Sequence, residues 1–147
     1  LGVIAACIAM GSILPAMLIG LPSMYGAWHM FMTGLTQHIG LAEDVLDHRL
    51  NCRTMYINRF SRFVYWNMNY HVEHHMFPMV PYYNLKDLHA EMKDDTPRPY
   101  SGFWEAYQEI IPTIVRQVKE PTFFIHRQLP ATAKPFIPGA AAPLAAE

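Results

Sequence analysis

Charged side chains are missing from the first part of this chain. No Asp, Glu, Lys or Arg occurs in residues 1–42, and only 16% of all residues are charged, compared with roughly 25% in typical soluble proteins. Such a segment is hard to solvate in water. The net charge of −1 also argues against the strongly basic surface that nucleic-acid-binding proteins use, so no nucleic-acid partner is expected.

Cysteine is scarce as well. Cys7 and Cys52 have neither metal-motif spacing nor the number that a disulfide framework needs, which is compatible with a reducing, cytosol-facing compartment. No initiator Met and no basic region precede the apolar run that opens at Leu1, which argues against a signal peptide. We therefore expect the chain to be a fragment of a larger integral membrane protein.

Two apolar stretches fill the uncharged part. Residues 1–21 have about the roughly 20 residues that cross a bilayer, whereas residues 23–35 are short for a span and contain His29. We interpret residues 1–36 as a transmembrane segment, either a bent hairpin or one span with a partly embedded helix. A pair of buried soluble helices is the alternative.

The rest of the chain predicts a cytosolic helical cap over residues 37–129 and a disordered, Ala- and Pro-rich tail over residues 130–147. Four arginines follow the apolar part and indicate that this side faces the cytoplasm: Arg49, Arg53, Arg59 and Arg62. The expected fold is therefore all-α.

Three helices are predicted in the cap. The second half of residues 58–76 forms the first, which ends before Pro78. A second is capped by Asn84 and extends to about residue 92. Residues 101–117 form the third, which Pro112 interrupts.

Three of the eight histidines are clustered at His71, His74 and His75. Since each helical residue turns by about 100°, their side chains leave the helix within an arc of about 100°. Three buried neutral imidazoles would each need hydrogen-bond partners, and three charged ones would repel. A shared metal satisfies all three, so we predict a metal site; ordinary core or surface histidines are the alternative.

The order of residues in this cluster narrows the metal chemistry. Imidazole suits zinc, copper, iron and nickel. The zinc protease motifs are H-E-x-x-H and H-x-x-E-H, and the order H-V-E-H-H matches neither. Glu73 is thus a poor protease base, and we expect it to support the ligands or to face solvent.

Residues 69–78, NYHVEHHMFP, closely resemble the third histidine box, H-x-x-H-H, of membrane fatty acid desaturases. Residues 81–85 resemble the usual continuation of that box. Residues 37–41, QHIGL, resemble the additional histidine that these enzymes and the related alkane hydroxylases place at the end of a transmembrane helix. The resemblance extends from about Leu1 to Leu88.

This resemblance implies a mushroom-shaped helical membrane fold with a cytosolic cap over a di-iron centre. Four histidines would be metal ligands: His38, His71, His74 and His75. No other catalytic or cofactor-binding residue is predicted. His48 is a weaker ligand candidate and otherwise a surface residue. Three histidines are left without a role: His29, His89 and His126.

The chain departs from the family pattern because the two earlier histidine boxes do not occur before His38. Four histidines do not complete two irons. We expect the missing ligands to lie upstream, outside this chain, and the fragment alone to be inactive.

The activity that the resemblance implies is O₂-dependent introduction of a double bond into an acyl chain. The partners would be an acyl-lipid or acyl-carrier substrate, O₂, and an electron donor such as ferredoxin or cytochrome b5. Alternatives are a related hydroxylase or ketolase acting on alkanes, fatty acids or carotenoids, a non-catalytic membrane protein, and a soluble zinc hydrolase.

Overall fold

The computed structural model of the chain describes residues 1–136. Every regular element in that range is a helix, as the predicted all-α class requires. In chain order these are α1 (Gly2–Met10), a π-helix (Ala16–Gly20), α2 (Leu21–Tyr25), α3 (Ala27–His38), α4 (Arg59–Val64), α5 (His71–Met76), a 3₁₀ helix (Tyr82–Asn84), α6 (Leu85–Met92) and α7 (Phe103–Gln117).

The uncharged segment folds back on itself after α1. Gly11 ends α1 with a left-handed φ of 56°, a conformation that glycine adopts without steric cost. A Cβ placed on Gly20 would lie 3.4 Å from Val3 Cγ1, so the π-helix packs against α1. Within residues 1–136, no helix combines the length and the apolar character needed to cross a bilayer. The membrane placement of this segment stays a prediction.

Two of the three predicted cap helices differ from expectation. The predicted helix in the second half of residues 58–76 is wrong in extent, because Trp66 and Asn67 both have a left-handed φ of 54° and separate α4 from α5. Pro112 does not interrupt α7. Both Pro112 and Gln108, whose carbonyl loses its helical donor, are exposed, so that carbonyl can bind water instead.

The structure describes the tail that was predicted to be disordered only as far as residue 136. Its first part contacts the loop after α6, where the Lys134 backbone N–H donates to Asp95 Oδ1 at 2.8 Å and the Thr132 hydroxyl donates to the Asp94 carbonyl at 2.5 Å. Residues 137–147 lie outside the described residues.

A buried arginine joins α3 to α7. The Arg53 side chain is 0% exposed and donates through Nη1 to the Ile39 carbonyl at 2.7 Å and through Nη2 to Glu109 Oε1 at 2.8 Å. Its backbone N–H donates to the Gln37 carbonyl at 3.0 Å. Carbonyls at a helix C-terminus have no partner within the helix, so Arg53 satisfies them and fixes the end of α3, where His38 lies.

We predict that Arg53→Leu destabilises the fold by about 3–5 kcal/mol, because it removes the charge partner of Glu109 and the side-chain donor to the Ile39 carbonyl. The matched control is Arg116→Leu, which removes an arginine from an ion pair with Glu120 whose side chains are 54% and 55% exposed; exposed pairs contribute about 0–1 kcal/mol. Thermal unfolding of the purified variants measures both. Equal melting temperatures for the two variants would contradict this role of Arg53.

Candidate metal centre

Three imidazole nitrogens from two helices meet at one point. His71 and His75 lie one helical turn apart on α5, and their Nε2 atoms are 3.0 Å apart. His38, at the end of α3, brings its Nε2 within 2.8 Å of His71 Nε2. Nitrogens that each lie about 2.0–2.1 Å from one metal ion are themselves about 3 Å apart in adjacent coordination positions. The spacing of these three donors therefore fits a shared ion.

His74, the fourth predicted ligand, lies beside this group. Its ring centroid is 5.9 Å from that of His71 and 5.6 Å from that of His75. Its Nδ1 is buried without a hydrogen-bond partner, as is Nδ1 of His71. The structure thus brings three of the predicted ligands together and leaves His74 adjacent to them, with a buried nitrogen that a further ligand or ion would satisfy.

Burial and mutual repulsion keep the central imidazoles neutral. Burial, followed by the neighbouring imidazoles His75, His38, His74 and His48, lowers the pKa of His71 to about 2. Burial, followed by His38, His48 and His74, lowers the pKa of His75 to about 4. Near neutral pH both rings therefore carry a free lone pair, which is the form that binds metals.

A thiol that sequence reasoning missed joins the same group. Donor atoms of His38, Cys52, His71 and His75 all lie within 4.8 Å of one another. Burial, and then the charge of Glu73, raises the pKa of Cys52 to about 12. Its protonated sulfur donates to Asn51 Oδ1 at 3.0 Å. The sequence does not indicate this contact, because Cys52 is distant in the chain from His38 and His71 and no local motif links it to them.

His48, a weaker candidate in the sequence, lies at the edge of the cluster. It is half-buried, and its ring centroid is 5.0 Å from that of His75. His29, which had no predicted role, has a buried Nε2 without a partner. It lines an apolar cleft of about 330 Å³ with Trp28 and Tyr65.

Glu73 is the buried acid of α5 and is 0% exposed. Its Oε2 accepts from the Thr54 hydroxyl at 2.5 Å, and its Oε1 accepts from His89 Nδ1 at 2.6 Å. His89 Nε2 lies 3.0 Å from the Tyr56 hydroxyl. Of the two sequence expectations for Glu73, exposure to solvent is wrong, because this network ties α5 to α6 and to the segment around Thr54.

Comparison with protein families gives one result that covers this whole region. The family model described as fatty acid desaturase matches residues 1–107. The chain belongs to the fatty acid desaturase family. Membership implies an oxidoreductase of lipid metabolism and suggests iron as the metal. Comparisons with curated proteins and with solved structures give no match.

The desaturase-family match suggests iron, and the donor set is compatible with it. The match contains all four predicted ligands, which lie between His38 and His75. Neutral imidazoles are suitable donors to iron, and the Nε2 atoms of His38 and His75 lie 2.8 and 3.0 Å from His71 Nε2, where one ion could accept the lone pairs of all three. The residues present therefore fit an iron centre.

We predict that Glu73→Leu weakens metal binding about 10–100-fold, the usual cost of losing a residue that supports the ligands. The substitution leaves the Thr54 hydroxyl and His89 Nδ1 without their acceptor, so α5 loses its anchor. Metal affinity measured by equilibrium titration tests this. Glu91→Leu, at an exposed position on α6, serves as the control and should bind metal like the unaltered chain. A Glu73 variant with unchanged affinity would show that the network does not position α5.

Proposed function

We propose that this chain is part of a membrane di-iron acyl-lipid desaturase that uses O₂ to introduce a double bond into an acyl chain. The observation that supports this most strongly is the convergence of the His38, His71 and His75 Nε2 atoms, with separations of 2.8 and 3.0 Å, inside a region that matches the desaturase family.

In this proposal His38, His71, His74 and His75 hold iron, and the remaining ligands come from histidines outside these 147 residues. Bound iron would supply O₂ activation: with two electrons from a donor such as ferredoxin or cytochrome b5 and two protons, O₂ and the two hydrogens lost by the substrate would form two molecules of water. The imidazoles resist oxidation better than thiolates do. In the absence of a metal Cys52 is a protonated thiol, because burial raises its pKa to about 12.

An apolar cleft between the first half of α3 and α4 supports an acyl substrate. Trp28, Met30, Phe60 and Val64 line it, and its volume is about 330 Å³. The cleft reaches Tyr65, whose hydroxyl accepts a hydrogen bond from Gln37, the neighbour of His38. We infer that the acyl chain lies against these apolar walls. They exclude water and place one methylene near the metal, which is the protein's contribution in a cofactor enzyme.

The proposed location is a membrane, with the histidine cluster on the cytoplasmic side. Residues 1–42 carry no charge. Large apolar side chains of the first helices are exposed, among them Ile8 at 77% and Leu18 at 73%. Arg59 and Arg62 lie on α4, after the apolar segment, as the bias of cytoplasmic segments towards arginine and lysine requires.

The test is to purify the protein from its intact gene in detergent, count bound iron and analyse the lipid product. We expect a di-iron protein. His71→Ala should lose iron and activity together, since it removes the nitrogen that lies within 3.0 Å of both partners. His126→Ala, at an exposed position, is the control and should retain both. A product that has lost two hydrogens identifies a desaturase, and a product that has gained an oxygen identifies a hydroxylase or ketolase. Absence of iron from the intact protein would refute the proposal.

A further inference from the structure

Two histidine rings donate to the two oxygens of one residue, Asn51. The Asn51 backbone carbonyl lies 2.9 Å from His38 Nδ1, and the Asn51 side-chain Oδ1 lies 3.2 Å from His48 Nδ1. An amide oxygen only accepts hydrogen bonds, so Nδ1 carries the proton in both rings. A neutral imidazole has one N–H, which leaves a lone pair on Nε2 of each ring.

The same amide oxygen has a second neighbour, because the Cys52 thiol donates to Asn51 Oδ1 at 3.0 Å. An amide oxygen has two lone pairs and can accept from both His48 Nδ1 and the thiol. His38 and His48 are therefore held in the same tautomer. Histidines that bind metals nearly always donate their other N–H to a carbonyl or a carboxylate in this way.

His48 lies as close to His75 as His38 does. Its ring centroid lies 5.0 Å from that of His75, and the ring centroid of His38 lies 5.0 Å from the same His75 ring. His48 and His75 also line one cleft of about 460 Å³. The two rings approach His75 at equal distances, although only His38 was a strong candidate in the sequence.

The backbone on both sides of His48 is fixed. Arg49 is 4% exposed, and its guanidinium donates to Asp47 Oδ2 at 2.8 Å and to the carbonyls of Asp95 and Lys134 at 3.2 and 3.0 Å. The Leu50 backbone N–H donates to the Asp47 carbonyl at 2.9 Å. His48 thus sits in a turn whose flanking residues are tied to the loop after α6 and to the chain near residue 134.

We propose that His48 is a further metal-binding histidine of this centre, and that Asn51 holds His38 and His48 in the tautomer that presents Nε2 to the metal. This inference rests on the proposed metal centre. It raises the number of metal-binding imidazoles in this chain from four to five, and it gives the turn between α3 and α4 a direct part in the centre.

The experiment uses Co²⁺ as the probe, because cobalt reports its ligands through its visible spectrum, and the protein purified from its intact gene. His48→Phe keeps a ring beside His75 and removes the nitrogens. We expect it to weaken Co²⁺ binding at least about 10-fold and to shift the cobalt absorption. The exposed His126 provides the matched control, since His126→Phe makes the same chemical change away from the cluster and should leave affinity and spectrum unchanged.

A rescue experiment distinguishes a role of His48 in metal binding from a role in packing. His48→Ala opens space beside His75, and free imidazole in the buffer should restore the cobalt affinity and spectrum. Asn51→Leu removes Oδ1 and keeps the backbone carbonyl that His38 needs, so it should weaken binding as His48→Phe does. Asn51→Asp keeps an acceptor oxygen and should bind more tightly than Asn51→Leu.

The outcomes distinguish this inference from the proposed function. If the unaltered protein binds no metal, both are overturned. If it binds Co²⁺ and His48→Phe matches its affinity and spectrum, only the role of His48 is overturned. A loss of binding in His48→Ala that imidazole does not restore would assign His48 a packing role and would also overturn the inference.

Discussion

The geometry of the cluster depends on the buried guanidinium of Arg53. A fully buried charge is costly unless every donor is satisfied, and Arg53 meets this requirement with Glu109 and the carbonyl of Ile39. Those contacts hold the end of α3 against α7. His38 is the last residue of α3, so the position of its imidazole follows from the way Arg53 is satisfied. Gly40 allows the approach, since a Cβ there would lie 2.6 Å from Thr113 Cγ2 on α7.

Residues 52–54 connect the end of α3, which Arg53 holds, to α5, which carries His71 and His75. Cys52 contacts His38, with Sγ 3.7 Å from Nδ1, and Arg53 binds the end of α3. The Thr54 side chain contacts α5, where its hydroxyl accepts a hydrogen bond from the Val72 backbone N–H at 3.3 Å. This short segment therefore contacts both helices, with Cys52 and Arg53 at the end of α3 and Thr54 at α5.

The sequence predicted the parts of the site that are local. His71 and His75 are one turn apart, and helical periodicity alone brings their Nε2 atoms to the same side. Placing His38 beside them depended on the family resemblance, because periodicity carries no information about a residue on another helix. The burial of Cys52 and the pairing of Glu73 with His89 depend on tertiary packing. The helix boundary at His71 was missed because the left-handed residues Trp66 and Asn67 are not glycines.

The placement of Glu73 suits the positive charge that a metal at this centre would bring. Neutral imidazoles donate lone pairs and cancel none of the positive charge of a bound ion, and His71 is neutral because burial lowers its pKa to about 2. In a buried site that charge is costly. Glu73 is 0% exposed and lies on the same helix as the donors, held away from them by Thr54 and His89. It therefore places a buried carboxylate on the helix that carries His71 and His75, with both of its oxygens bound to groups outside the cluster.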